Sequence, residues 1–208
     1  MSRPFILGLT GSIGMGKSTV ALMLRELNVP VFDADAAVHE MQGAGGALVP
    51  VIENAFPGTT GAEGVLRQEL GARVFGNRGA LAQLEAIVHP AVAKLRETFM
   101  EANAKVDLIV LDIPLLYEKG AGADLDGVAV VSAPFVQQRE RVLARPGMTP
   151  EKFSQILGIQ VPDAEKRARA DYVIDTGVTI DETRAMVAAL VGTILQKNVS
   201  QRLARPDG

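Results

Sequence analysis

The 208-residue chain contains no cysteine. That removes disulfides, thiolate nucleophiles and cysteine-type zinc or iron–sulfur sites at once, and it fits a reducing cytosol. Tryptophan is absent and aromatic residues make up only 4% of the chain, too few for platforms on which single-stranded nucleic acid stacks its bases. Positive charge is not in surplus either. The formal net charge is −3, which argues against a general binder of nucleic acid or anionic membrane and leaves any basic work to a local cluster. Long hydrophobic runs are also missing. The run at Phe5–Leu9 is too short for a signal peptide and leads into glycine-rich sequence, and the runs at 108–116 and 128–136 are broken by Asp or Pro. None approaches the ~20 residues of a membrane helix. The expectation is a soluble, cytoplasmic protein with no nucleic-acid or membrane partner, a monomer or a small homo-oligomer.

What is present is an ordinary globular balance, 48% apolar and 22% charged residues, sufficient for one sizeable core with a smaller subdomain. Phe5–Leu9 reads as a strand buried on both faces. A helix over 17–27 follows, with Val20, Met23, Leu24 and Leu27 on one face. Asn28 and Pro30 mark its end, and Val31-Phe32 begins a strand that ends at Asp33-Ala34-Asp35. Strand, helix, strand over this span is a βαβ unit, which implies a parallel sheet and a right-handed crossover. Residues 36–105 read as a helical subdomain interrupted by Gly43–Gly46 and Pro57–Gly64. Its predicted helices are centred on Leu66–Phe75, on Leu81–Val88 running into His89-Pro90, and on Val92–Phe99. Further strands are predicted at Val106–Leu111, Val128–Val131 and Tyr172–Ile174, with helices at 135–144, from the N-cap Thr149 onward, and at 181–195. The polar end, 200–208, is expected to fray. No internal repeat appears.

Between the first strand and the first helix, Gly11-Ser12-Ile13-Gly14-Met15-Gly16-Lys17-Ser18 satisfies G-x-x-x-x-G-K-[ST], with Thr19 next. The glycines let the backbone turn sharply and approach phosphate oxygens without a Cβ in the way. Successive amides and the helix N-terminus then form a positive concavity for the phosphates. Lys17 is expected to reach the β- and γ-phosphates and Ser18 to ligate Mg²⁺. The dinucleotide fingerprint G-x-G-x-x-G is not met, and no Asn-Lys-x-Asp or Thr-Lys-x-Asp guanine-reading motif occurs, which lowers the GTPase reading.

Asp33 and Asp35 end the second strand, where a parallel sheet places its ligands. Either can serve as general base toward an acceptor hydroxyl, the other capping the next helix. Asp112 ends the strand at 108–111, where a P-loop enzyme places the acidic residue that helps hold Mg²⁺. The segment 137–169 carries Arg139, Arg141, Arg145, Lys166, Arg167 and Arg169. Two or three are expected to close over phosphate, Arg145 and Arg141 first, with the rest on solvated faces. His89 is a helix-end or core-edge residue before it is a catalytic one. Tyr117 and Glu118 either line an acceptor pocket or start a helix. These residues favour a small-molecule kinase over a nucleotide-dependent switch protein, and they leave the acceptor open.

Gly8–Val20, Asp33-Ala34-Asp35, Leu84–Pro90, Leu111–Glu118, Arg141–Arg145 and Glu165–Asp171 together resemble, in order and across nearly the whole chain, dephospho-CoA kinases. The resemblance implies ATP-dependent phosphorylation of the ribose 3′-hydroxyl of dephospho-CoA, giving CoA and ADP, the last step of CoA synthesis, with Mg²⁺. It implies an α/β, P-loop nucleoside/nucleotide kinase-like three-layer fold with a parallel central sheet, an inserted helical substrate domain and a helical lid. Its parts would be a nucleotide core (about 1–35, 106–135 and 171–200), a CoA-binding subdomain (about 36–105), a lid (about 136–170) and a disordered tail at 201–208. By motif position, Gly14, Met15, Gly16, Lys17, Ser18, Thr19, Arg141 and Arg145 bind ATP. Asp35 matches the base, with Asp33 a substitute, and Lys17 and Arg145 join it in catalysis. Thr10, Asp35, Arg67, His89, Leu115, Leu116 and Glu118 fall in the acceptor pocket, and Ser18 and Asp112 at the metal. The chain departs from the pattern at Ser12 and Met15, where Gly and Ser are commoner, and at Thr176, where many members have Asn.

Overall fold

The computed structural model describes residues 3–118, 120 and 124–203, with side chains through residue 198. The chain divides into two compact units, Met1–Phe32 with Asn103–Gly208, and Asp33–Ala102. The first is organised on β1 (Phe5–Thr10), whose Leu7 and Leu9 are fully buried. It pairs in parallel with β5 (Leu108–Asp112) on one side and β6 (Gly127–Ser132) on the other. β6 pairs in parallel with β7 (Tyr172–Asp175), and β2 (Val31–Asp33) completes the order β2-β5-β1-β6-β7. The apolar runs of the central strands carry little alternation because both faces are covered. Leu9 sits opposite Asp112 in the β1–β5 register, so the strand that leads into the glycine loop ends beside that carboxylate.

α1 (Lys17–Glu26) turns Val20, Ala21, Met23 and Leu24 into this core, each large side chain contributing about 1.5–3 kcal/mol by leaving water. Leu27, expected on the same face, is instead 41% exposed. The helix stops at Glu26, and Asn28, at φ 59°, turns the chain out of it. α6 (Phe135–Leu143), α7 (Pro150–Gly158) and α8 (Asp163–Arg169) follow β6. Thr149 caps α7 as expected, its hydroxyl accepting the Lys152 amide at 3.3 Å. α9 (Ile180–Leu203) seats Val187, Leu190, Val191 and Ile194 in the core of α1 and the sheet. It continues past the expected fraying point at 200 to Leu203, and 204–208 lie outside the described residues.

The second unit holds α2 (Ala34–Gln42), α3 (Val49–Ala55), a hairpin of β3 (Thr60–Gly61) and β4 (Gly64–Val65), α4 (Arg67–Val74) and α5 (Arg78–Ala102). Met41, Leu48, Ile52, Phe56 and Leu70 form its own core, with Leu84, Ile87 and Val88 packed against it. The helices predicted on either side of Pro90 are one continuous α5. Proline removes one helix donor and crowds the preceding turn, but Ala86 and Pro90 are both exposed, a setting in which water can satisfy a carbonyl left without its donor. Phe75, expected on the α4 core face, lies just past the helix end and is 91% exposed. No helix among the described residues is long and apolar enough to cross a membrane.

Candidate active site

The glycine loop joins β1 to α1. Gly14 and Gly16 take φ of 77° and 84°, values a side chain resists. Space forbids one as well, since a Cβ on Gly14 would lie 2.4 Å from Val142 Cγ2. Gly16 caps α1 with no side-chain oxygen to receive the helix amides. Among the described residues the amides of Gly14, Gly16, Lys17 and Ser18 have no protein acceptor, whereas Met15 donates to the Ser12 carbonyl and Thr19 to that of Gly16. Unaccepted amide donors at a positive helix end suit an anion.

The loop is held from behind by side chains. Gln160 Oε1 accepts the Ile13 amide at 3.1 Å and Gln138 Nε2 donates to the Ile13 carbonyl at 2.8 Å. Met15 is 2% exposed, and its Sδ accepts the Ala133 amide at 3.1 Å, so its side chain is held in the core and not offered to phosphate. Lys17 and Asp112 form an ion pair, the carboxylate 2% exposed and the ammonium 18%. The two residues expected to hold triphosphate and metal are therefore together. Ser18 and Thr19 are exposed on the first turn of α1.

Sequence reasoning grouped the basic residues of 137–169, and the structure separates them. Arg141 is turned onto the segment after β7, donating to Thr176 Oγ1 at 3.1 Å and to the Thr176 carbonyl at 2.6 Å. Arg145, just past α6, is exposed and has no side-chain partner among the described residues. Arg139 and Arg167 are exposed, and Arg169 lies over the Tyr117 ring at 4.3 Å. Lys166 faces inward, fully buried, 2.8 Å from Glu118 Oε1, which also accepts the Val161 amide. Thus Glu118 neither starts a helix nor stands free toward an acceptor. It pins the turn after Asp112 to α8. Leu116 is likewise buried, against Gly8, while Leu115 is half-buried. Thr10 is fully buried, its hydroxyl donating to the Pro114 carbonyl at 3.4 Å. The bracing roles of Gln138, Gln160 and Thr176 were not foreseen. Polar residues at such separations carry no periodic signal.

In the second unit, Asp33 is the cap, its carboxylate accepting the Ala36 amide at 2.9 Å. Asp35, in the first turn of α2, is exposed and has no side-chain partner among the described residues. Arg67 at the start of α4 bonds to the His39 ring. His89 is exposed in the interior of α5 rather than at a helix end.

The buried pair has consequences for stability. Burial by itself pushes the Glu118 carboxyl up, but the Lys166 bond and charge, with the amides of Glu118 and Val161, hold it below its ordinary value of 4.5. A lowered carboxyl adds stability above its unfolded pKa and loses it as pH falls through the folded one. Denaturant midpoints should therefore drop below about pH 4.5, and Glu118→Gln should flatten that part of the profile. A profile identical in the variant would remove Glu118 from the account. Lys166→Met, which strands a carboxylate only 11% exposed, is expected to cost about 3–5 kcal/mol in urea unfolding. A change below ~1 kcal/mol would show the pair to be of the weak, solvated kind.

A sheet with parallel pairing, an amide cradle after its central strand and a lysine–aspartate pair at the neighbouring strand end define a P-loop kinase. The dephospho-CoA kinase family model matches residues 5–182. Dephospho-CoA kinase of Novosphingobium aromaticivorans is 70% identical over 95% of this chain and 98% of its own length. That of Mesorhizobium japonicum is 52% identical over 89% and 94%. Among solved structures, a Thermus thermophilus protein superposes with a TM-score of 0.76 at 35% identity, covering 92% of this chain and 98% of that one. Dephospho-CoA kinase of Campylobacter jejuni shares the fold, with a TM-score of 0.65 at 23% identity over 93% of this chain and 98% of its own. The chain belongs to the dephospho-CoA kinase family, and it is an ATP-dependent kinase.

Proposed function

We propose that the protein transfers the γ-phosphoryl group of ATP to the ribose 3′-hydroxyl of dephospho-CoA, giving CoA and ADP, with the chemistry divided among the residues located above. The observation that carries this reading is the amide cradle at Gly14–Ser18 beside the Lys17–Asp112 pair. The cradle takes the triphosphate, and Lys17 leaves Asp112 to meet the β- and γ-phosphates. Arg145, exposed and without a side-chain partner among the described residues, supplies a guanidinium to the equatorial oxygens of the transferring group. Asp35 accepts the proton of the attacking hydroxyl. Arg67, His89 and Leu115 contact the acceptor, while Thr10, Leu116 and Glu118 keep the turn at 114–118 in place for it.

The donors present suit Mg²⁺, which favours oxygen ligands, retains waters and shares phosphate oxygens with one or two carboxylates. Ser18 Oγ and the Asp112 carboxylate would hold it. Bound there, it would supply positive charge against that developing on the phosphates. Among the described residues no group of three or more His, Asp or Glu side chains is placed to hold a metal ion, so the ion would arrive with the nucleotide. A cytoplasmic enzyme acting as a monomer or small homo-oligomer fits a cysteine-free chain. The test is ADP release coupled to a reporter, with ATP, Mg²⁺ and dephospho-CoA. Turnover should require the acceptor, and a panel of other small hydroxyl compounds should be poor substitutes. ATP binding by folded protein without acceptor-dependent turnover would overturn the reading.

A further inference from the structure

Thr176 is 7% exposed and stands directly after β7, with its amide donating to the Ser132 carbonyl at 2.9 Å. Its hydroxyl donates to the Met15 carbonyl at 2.7 Å, the Ser132 carbonyl being a more distant alternative at 3.3 Å. The same oxygen accepts Arg141 Nη1, and the Thr176 carbonyl accepts Arg141 Nη2. Arg141 is further steadied by Gln137 Oε1 at 3.4 Å. The Thr176 side chain lies against the glycine loop so closely that a Cβ on Gly16 would sit 3.1 Å from its Oγ1.

The carbonyl it grips belongs to the peptide unit joining Met15 to Gly16. That unit is planar and trans, so its C=O and its N–H point in opposite directions. A bond that fixes the Met15 carbonyl therefore fixes where the Gly16 amide points, and that amide is one of the cradle donors with no acceptor among the described residues. Glycine supplies no stiffness of its own here, being free on both sides of φ = 0. The Thr176 bond supplies orientation from outside the loop.

We infer that Thr176 is a positioning residue for phosphoryl transfer: through its hydroxyl it aims the Gly16 amide into the phosphate cradle, and through Arg141 it ties that aim to α6. The hydroxyl is thereby committed to protein partners. Thr176 acts on the nucleotide by way of the loop rather than by touching it. The inference rests on the phosphate-cradle reading of the loop, and the experiment separates the two.

The measurements are ADP affinity by calorimetry, steady-state kinetics, and the amide resonance of Gly16 in ¹⁵N-labelled protein with and without ADP. In the wild type, ADP should move the Gly16 resonance. Thr176→Val keeps shape and removes the donor. It should weaken ADP binding and raise the ATP KM by roughly tenfold, the scale of one lost hydrogen bond. It should also shrink the ADP-induced shift at Gly16 and leave the dephospho-CoA KM within about twofold. Thr176→Ser, which keeps the hydroxyl, should restore all three. A role in packing alone would lower thermal stability without this selectivity. If the valine variant fails to fold, Thr176→Ala makes the same test with less crowding. Wild-type ADP affinity and an unaltered Gly16 shift in the donor-free variants would overturn the Thr176 assignment alone. Wild-type protein that bound no ADP would overturn the cradle reading itself.

Discussion

Lys17→Ala is expected to lower kcat by roughly 10²–10³, on the scale of removing one preorganised donor from a developing anion. Lys17 opens the first turn of α1, where the helix end is already positive and the amides of Gly16, Lys17 and Ser18 have no acceptor among the described residues. Its pairing with Asp112 shows that the chain places this charge at the carboxyl end of β5, held by a carboxylate with almost no exposure. Such surroundings screen a charge poorly, so its interaction with phosphate is worth more than at a solvated surface. On the proposed reading, a triphosphate in the cradle would draw the ammonium from one anionic partner to another, and the contact would grow as charge builds on the transferring oxygens. Lys17→Arg should not rescue the rate, because a planar fork does not replace a compact point charge in a loop shaped around it. The assay is steady-state ADP release with saturating ATP, with circular dichroism to show that the variant is folded. A rate within a few-fold of wild type would take the lysine out of the transfer step.

The loop was legible in the sequence because phosphate geometry dictates residue types at fixed spacing. Gly14 and Gly16 are required by φ, and the proposed phosphate and metal roles would require the reach of Lys17 and Ser18. The strands were legible because a sheet covered on both faces needs unbroken apolar runs, as at Leu108–Leu111. Thr149 announced its helix through cap chemistry. What holds the loop in shape was not legible. Gln138, Gln160 and Thr176 reach it from 125, 147 and 161 residues away along the chain. A buried polar side chain leaves no mark on hydrophobic periodicity. Lys166 misled for the opposite reason: lysine is a surface residue by habit, and only its partner Glu118, itself assigned elsewhere, explains its burial. The hairpin Thr60–Val65 is too short to show alternation, and Pro90 suggested a break that an exposed helix face did not need.

Asp35→Asn is expected to lower kcat by roughly 10² or more while leaving the ATP KM nearly unchanged, as the loss of a general base should. Asn matches the shape of Asp and keeps its hydrogen-bonding reach, but it cannot accept the proton of the acceptor hydroxyl. The substitution also removes a negative charge from the first turn of α2, where helix-dipole effects are worth about 0.3–1 kcal/mol. That is too small to account for a hundredfold loss of rate. Asp33 provides the matching control. Its carboxylate is spent on the Ala36 amide, and Asn caps helices about as well as Asp, so Asp33→Asn should keep both fold and rate close to wild type. The pair of variants therefore distinguishes neighbours only two positions apart, one bound to its own helix and one exposed beside it. The opposite pattern, a normal rate for Asp35→Asn and a collapse for Asp33→Asn in folded protein, would move the base to Asp33 and require that carboxylate to release its cap during turnover.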